Sequence, residues 1–166
     1  MLTAELAEFG HEEYEKRLSN LRTEMSAAGI DAVLINTDTN HRYFTGHWTH
    51  RWMHKFTSLF VILPLEKDPI LVVPPLETGM CELDCWVDDI RTYLPPIRVQ
   101  AGVTLLTDTI KELGLENGHF GAEHGGVLWN RMPHDDFAQL KSNLPGLTFT
   151  DAASILWKTR YRKSSA

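Results

Sequence analysis

Cysteine is scarce in this chain. Two occur in 166 residues, Cys81 and Cys85. A structural zinc site needs about four ligands, and the spacing is not Cys-x-x-Cys. A disulfide between them is not expected in a reducing compartment, which leaves two semi-buried thiols on one helical face. No apolar run approaches the roughly 18 residues of a membrane-spanning helix. The opening Met1-Leu-Thr-Ala-Glu-Leu-Ala-Glu8 is acidic and has neither the basic start nor the apolar centre of a signal peptide. A cytoplasmic protein without membrane contact is expected. Positive charge is also short: 16 Lys and Arg against 22 Asp and Glu give a net −6. That balance argues against a nucleic-acid surface. Internal repeats and low-complexity segments are absent.

What is present is an average globular composition, 43% hydrophobic and 23% charged. The length suits one domain with a real core. Residues 11–28 read as an amphipathic helix, with Tyr14, Leu18, Leu21 and Met25 at spacings of three and four. Gly29 stands where a left-handed C-cap belongs. Strands are expected over 31–35, 56–63 (ended by Pro64), 70–73, 87–93, 120–123 and 147–150. Helices are expected over 76–85, 103–113 and 133–140. Residues 36–40 read as a turn, residues 40–46 as one or two helical turns, and Asp151 as the cap of a last helix. The second and third strands, joined by a short turn, form an antiparallel hairpin. About six strands and five helices in this order predict an α/β fold, with a mixed, partly antiparallel sheet flanked by helices.

The densest candidate site is Tyr43-Phe-Thr-Gly-His47-Trp48-Thr-His50-Arg51-Trp52-Met-His54-Lys55. Large aromatics interleaved with His and Arg on a loop meet a partner or a ligand, or else pack beneath the loop. His50 and His54, four apart, could share a metal on a helix, but no carboxylate ligand lies within the loop. A histidine could serve in acid–base chemistry, but the sequence supplies no nucleophile with an orienting carboxylate. Asp84, Asp88 and Asp89 form an acidic cluster that fits a helix cap or a solvated face. Gly121-Ala-Glu123-His-Gly-Gly126 lacks both dinucleotide and phosphate-loop patterns and reads as a backbone turn. No catalytic or metal-binding constellation is complete within the chain.

Five short motifs, in order, resemble the N-terminal domain of the creatinase, prolidase and aminopeptidase P ("pita-bread") family. They are the helix over 14–25 with Gly29-Ile-Asp-Ala-Val-Leu-Ile35, Asn40-His-Arg-Tyr-Phe-Thr-Gly46, Phe120-Gly-Ala-Glu123, Leu144-Pro-Gly with Phe149-Thr-Asp-Ala152, and Leu156 to Ser164. Trp157, Tyr161 and the His- and Trp-rich arm depart from the family pattern. The resemblance implies a ribonuclease H-like mixed-sheet domain over 1–155, with 156–166 starting a linker into a C-terminal catalytic domain. It implies a metal-dependent hydrolase, of Xaa-Pro peptidase or creatinase type, as the parent protein. Two divalent ions (Mn, Co or Zn) would sit in that other domain, with no cofactor and no catalytic residue here. It further implies a homodimer built through this domain. His47, Trp48, His50, Arg51 and Trp52 would then complete the partner's pocket for a small-molecule or X-Pro peptide substrate. A catalytically inactive binding protein of the same architecture, or a relative with amidine-hydrolysing or osmolyte-degrading chemistry, is the alternative.

Overall fold

A computed structural model describes residues 6–53, 58–94, 101–126, 128 and 130–162. Six strands form one sheet: β1 (Ala32–Ile35), β2 (Phe60–Pro64), β3 (Ile70–Val73), β4 (Asp89–Thr92), β5 (His119–Ala122) and β6 (Thr148–Asp151). Their order is β4-β3-β2-β1-β5-β6. β2 runs antiparallel to both β1 and β3, as the expected hairpin requires, while β1–β5, β3–β4 and β5–β6 are parallel. The α-helices are α1 (His11–Ala28), α2 (Asp38–Thr45), α3 (Pro75–Asp84), α4 (Ala101–Glu112), α5 (His134–Asn143) and α6 (Ala153–Tyr161), with a short 3-10 turn at His50–Met53.

The strands β1, β2 and β3 are apolar and buried on both faces because helices cover both. Val33, Ile35, Val61, Leu63, Leu71 and Val73 meet Leu18, Leu21 and Met25 of α1, Phe44 of α2, Cys81 of α3 and Leu156 of α6. Their alternating neighbours Ala32, Leu34, Phe60, Ile62, Ile70 and Val72 meet Val103, Leu106 and Ile110 of α4 and Leu140 of α5. Strand alternation thus feeds two cores, one on each side of the sheet. Each large side chain so buried contributes about 1.5–3 kcal/mol.

Several boundaries differ from the sequence reading. The strand expected over 56–63 begins at Phe60 among the described residues, and residues 54–57 lie outside them. Pro64 is the last residue of β2 rather than its terminator, paired with Ala32; at a strand end its missing N–H costs little. α2 starts at Asp38, inside the expected turn. Asp151 belongs to β6, yet its Oδ1 still accepts the Ala153 N–H at 2.9 Å and so helps α6 begin. Leu156 and Thr159 of α6 are buried. Cys81 and Cys85 are free and buried. Burial raises both thiol pKa values, Cys85 to about 12, which makes them unreactive. Among the described residues, no helix is long and apolar enough to cross a membrane.

Candidate functional site: a fixed arm and its buried supports

The arm leaves α2 through Gly46, whose φ of 82° is left-handed. A Cβ there would lie 2.8 Å from the Asp84 carbonyl oxygen and 2.8 Å from the Tyr14 hydroxyl. Only glycine allows both the turn and the approach. The next residue, His47, is fully buried. Its Nδ1 lies 2.7 Å from Asp84 Oδ1 and its Nε2 lies 3.3 Å from Glu77 Oε2. Both nitrogens donate to these carboxylates when the ring carries its second proton. Glu77, itself buried, also pairs with Arg51, and Asp84 Oδ2 accepts the Trp48 N–H at 3.2 Å. Two carboxylates of α3 therefore clamp the arm at His47, Trp48 and Arg51. The sequence reading gave Asp84 a cap or a solvated face. It is instead a buried anchor, because the Gly46 turn brings a histidine onto it.

The five expected site residues divide by direction. His47 and Trp52 point inward, Trp52 being only 7% exposed and part of the core. Arg51 is half-buried against Glu77. Trp48 is 57% exposed, and His50 faces outward. The structure thus brings His47, Arg51 and Trp48 onto one support and sets His50 beside them. His54 lies outside the described residues. Among the described residues, no group of three or more His, Cys, Asp or Glu side chains is arranged to hold a metal ion.

His41 of α2 lies beneath the arm, its ring 5.5 Å from that of His47 and 5.3 Å from that of Trp52. It is fully buried, and its Nε2 has no hydrogen-bond partner among the described residues. Burial first, and the neighbouring His47 second, lower its pKa to about 3, so the ring is neutral.

Sequence reasoning missed a second support at the other end of α2. Glu123, read as part of a backbone turn, is buried at the end of β5. Its Oε2 accepts the N–H groups of Asn36 (2.7 Å) and Thr37 (2.9 Å). Its Oε1 accepts the Thr37 hydroxyl (2.5 Å) and the Asn40 amide (2.6 Å). Asn40 Oδ1 in turn accepts Arg160 Nη1 at 3.3 Å. Burial raises the Glu123 pKa against the pull of these donors. One carboxylate so joins β1, α2, β5 and α6. The available signal was that Asn40, Glu123 and Arg160 fall in three separate motifs of the family resemblance.

The mixed six-stranded sheet with helices on both faces defines the prolidase and creatinase N-terminal class of fold. The Creatinase/Prolidase N-terminal domain family matches residues 17–162, and the chain belongs to it. It is 30% identical over 151 residues to the ectoine hydrolase of Halomonas elongata, an alignment covering 81% of this chain and 37% of that protein. The chain thus spans little more than a third of that relative. Among solved structures, the prolidase of Thermococcus sibiricus superposes with a TM-score of 0.70 at 16% identity, over 90% of this chain and 37% of that one. The N-terminal domain of the peptidase PepQ from Mycobacterium tuberculosis superposes with a TM-score of 0.65 at 18% identity, over 87% and 98%. At these identities the two structures establish the fold alone.

Proposed function

We propose that this chain is the non-catalytic N-terminal domain of a metal-dependent hydrolase, and that its arm completes a substrate pocket across a homodimer. The observation that carries the reading is the arm's construction. Trp48 is exposed beside the buried root of the arm, where Asp84 and Glu77 hold His47, the Trp48 N–H and Arg51. Holding a large indole in water at a fixed position is a costly arrangement that suits a binding surface. In this reading Trp48 shapes the pocket and excludes water, and His50 and the Glu77-paired Arg51 stand beside it as polar contacts for the substrate. His47 and Trp52 hold the arm from within. Divalent ions would be held by another part of the protein, as the resemblance to the metal-dependent family implies.

Among possible substrates, the sequence similarity to an ectoine hydrolase, 30% over 151 residues, is the observation that bears on the choice. It favours a small amidine or amide of the osmolyte kind over an X-Pro peptide. The test is turnover by the full-length protein, with and without Mn²⁺ or Co²⁺, of ectoine, creatine and a panel of X-Pro dipeptides. Metal-dependent hydrolysis is expected, with kcat/KM lowered about 10- to 100-fold by Trp48→Ala. Silence across the panel, in a protein that binds no metal, would leave the inactive binding-protein reading standing.

A further inference from the structure

Arginine pairing is uneven in this acidic domain. Arg17, Arg42, Arg51, Arg91 and Arg162 each meet a carboxylate. Arg22 is spent on the backbone carbonyls of Pro64 and Lys67. Arg131 and Arg160 have no carboxylate partner among the described residues, and both line the same cleft. Arg131 donates to the Trp52 carbonyl and stands 5.4 Å from the Trp52 ring centroid. Arg160 donates to Asn40 and stacks 4.9 Å from the Trp157 ring centroid. A guanidinium has five N–H donors, so each keeps most of its capacity unused.

The cleft has a volume of about 580 Å³, within the range of small-molecule sites. Its other walls are Thr37, Asp38, Thr39, Leu128 and Trp157. It opens beyond the carboxyl end of β1, where open α/β sheets place their ligands. The amino end of α2 also faces it. Thr37 does not cap that helix, because Glu123 draws its hydroxyl inward. Asp38 is the one acidic wall, and its Oδ1 is turned to the Thr39 N–H at 2.8 Å and the Thr39 hydroxyl at 3.3 Å. Two guanidinium groups against one carboxylate leave an excess of positive charge, in a chain whose net charge is −6.

The geometry points to a binding site for a small carboxylate with a flat or apolar body. The carboxylate lies between Arg131 and Arg160, in the bidentate manner that guanidinium favours. The body rests against Trp157 and Leu128. This inference does not rest on any hydrolytic activity, and it touches the arm only through Trp52, which holds Arg131.

The probe is sodium benzoate, titrated into the ¹⁵N-labelled 166-residue chain and followed at the indole N–H of Trp157 and the Nε–H of Arg131 and Arg160. Saturable binding is expected, with neutral benzamide at least about tenfold weaker. Arg131→Gln and Arg160→Gln should each weaken benzoate about tenfold, and Asp38→Asn should tighten it a few-fold by removing the opposing charge. That increase separates a binding role from a structural one, since a merely damaged fold would weaken every probe. Four results would overturn the inference: no saturation up to about 50 mM benzoate; shifts that survive both arginine variants; inorganic phosphate or chloride binding as tightly as benzoate; or self-association of the chain that Arg131→Gln abolishes. The last would assign the site to a carboxylate of a second polypeptide rather than to a free molecule.

Discussion

Glu123→Gln is the most revealing single change, because it alters one atom of a hub with four donors. Glutamine offers one oxygen and one NH₂ where the carboxylate offered two oxygens. If the NH₂ faces Asn36 and Thr37, two buried backbone N–H groups lose their acceptor and confront a donor. If it faces the other pair, the Thr37 hydroxyl can rotate to accept, but Asn40 must reverse its amide. Its NH₂ then confronts Arg160, and the fault moves to α6. The second arrangement is cheaper, with one mismatched buried pair costing about 1–3 kcal/mol and the remaining bonds weakened by loss of charge. Relief of the buried charge offsets part of this, since burial raises the Glu123 pKa. The net loss should be about 1.5–3 kcal/mol, or roughly 3–12 °C in Tm for a domain of this size. Urea unfolding of the two proteins measures it. A second signature is the pH dependence. A carboxyl whose folded pKa is raised contributes stability that is complete below its unfolded value and declines as pH rises through the folded one. The gap between wild type and Glu123→Gln should therefore narrow as pH rises upward from 4.5. A double-mutant cycle with Asn40→Ala should show coupling of at least about 0.5 kcal/mol. A Glu123→Gln loss below about 0.5 kcal/mol would refute the hub as an energetic junction.

His41 should make the domain acid-sensitive. Its pKa is lowered from 6.5 to about 3, so its contribution is complete above pH 6.5 and falls by about 1.4 kcal/mol per pH unit between those values. His41→Phe should flatten that part of the stability profile in chemical denaturation, and an unchanged slope would contradict neutral burial. Gly46→Ala combines a left-handed φ with contacts of 2.8 Å; it should cost about 2 kcal/mol or more in thermal unfolding. Asp84→Asn should cost about 1–3 kcal/mol and free the arm, read as faster hydrogen exchange at the Trp48 amide. Thiol reagents should modify Cys81 and Cys85 only at the rate of unfolding, which mass spectrometry of the native protein can follow.

The periodic parts of the fold were legible. α1 follows from the spacing of Tyr14, Leu18, Leu21 and Met25, and the strands from apolar runs that only a sheet covered on both faces can bury. The ends of α2 were not, because they are set by tertiary partners. Asn36 to Asn40 carries turn-forming residues, yet Glu123 satisfies their donors from 83 to 87 residues away. Local propensity loses to a distant carboxylate there. The same holds for the candidate site. The aromatic and basic character of residues 47–52 marked the arm, but not which side chains turn inward. That was decided by Asp84 and Glu77 of α3, 37 and 30 residues from His47 in the sequence.

The two buried supports have different consequences for the arm. Glu123 gathers neutral donors onto one charge, so it fixes the start of α2 without adding an opposite charge. At the other end of α2, Asp84 and Glu77 face His47 and Arg51, a cluster that is balanced only when the histidine is protonated. Buried ion clusters of this kind add little net stability over an apolar replacement, but removing one member is costly. Their value here is positional. Each carboxylate oxygen of the cluster faces a specific group of the arm, which ties His47, Trp48 and Arg51 to α3. Trp48 lies directly after the clamped histidine, so its position is set by the cluster more than by its own contacts. If the arm completes a substrate pocket as proposed, the full-length protein carrying Asp84→Asn should lose kcat/KM as Trp48→Ala does. A variant in which the arm loosens while kcat/KM holds would show that the indole's fixed position is not what the substrate reads.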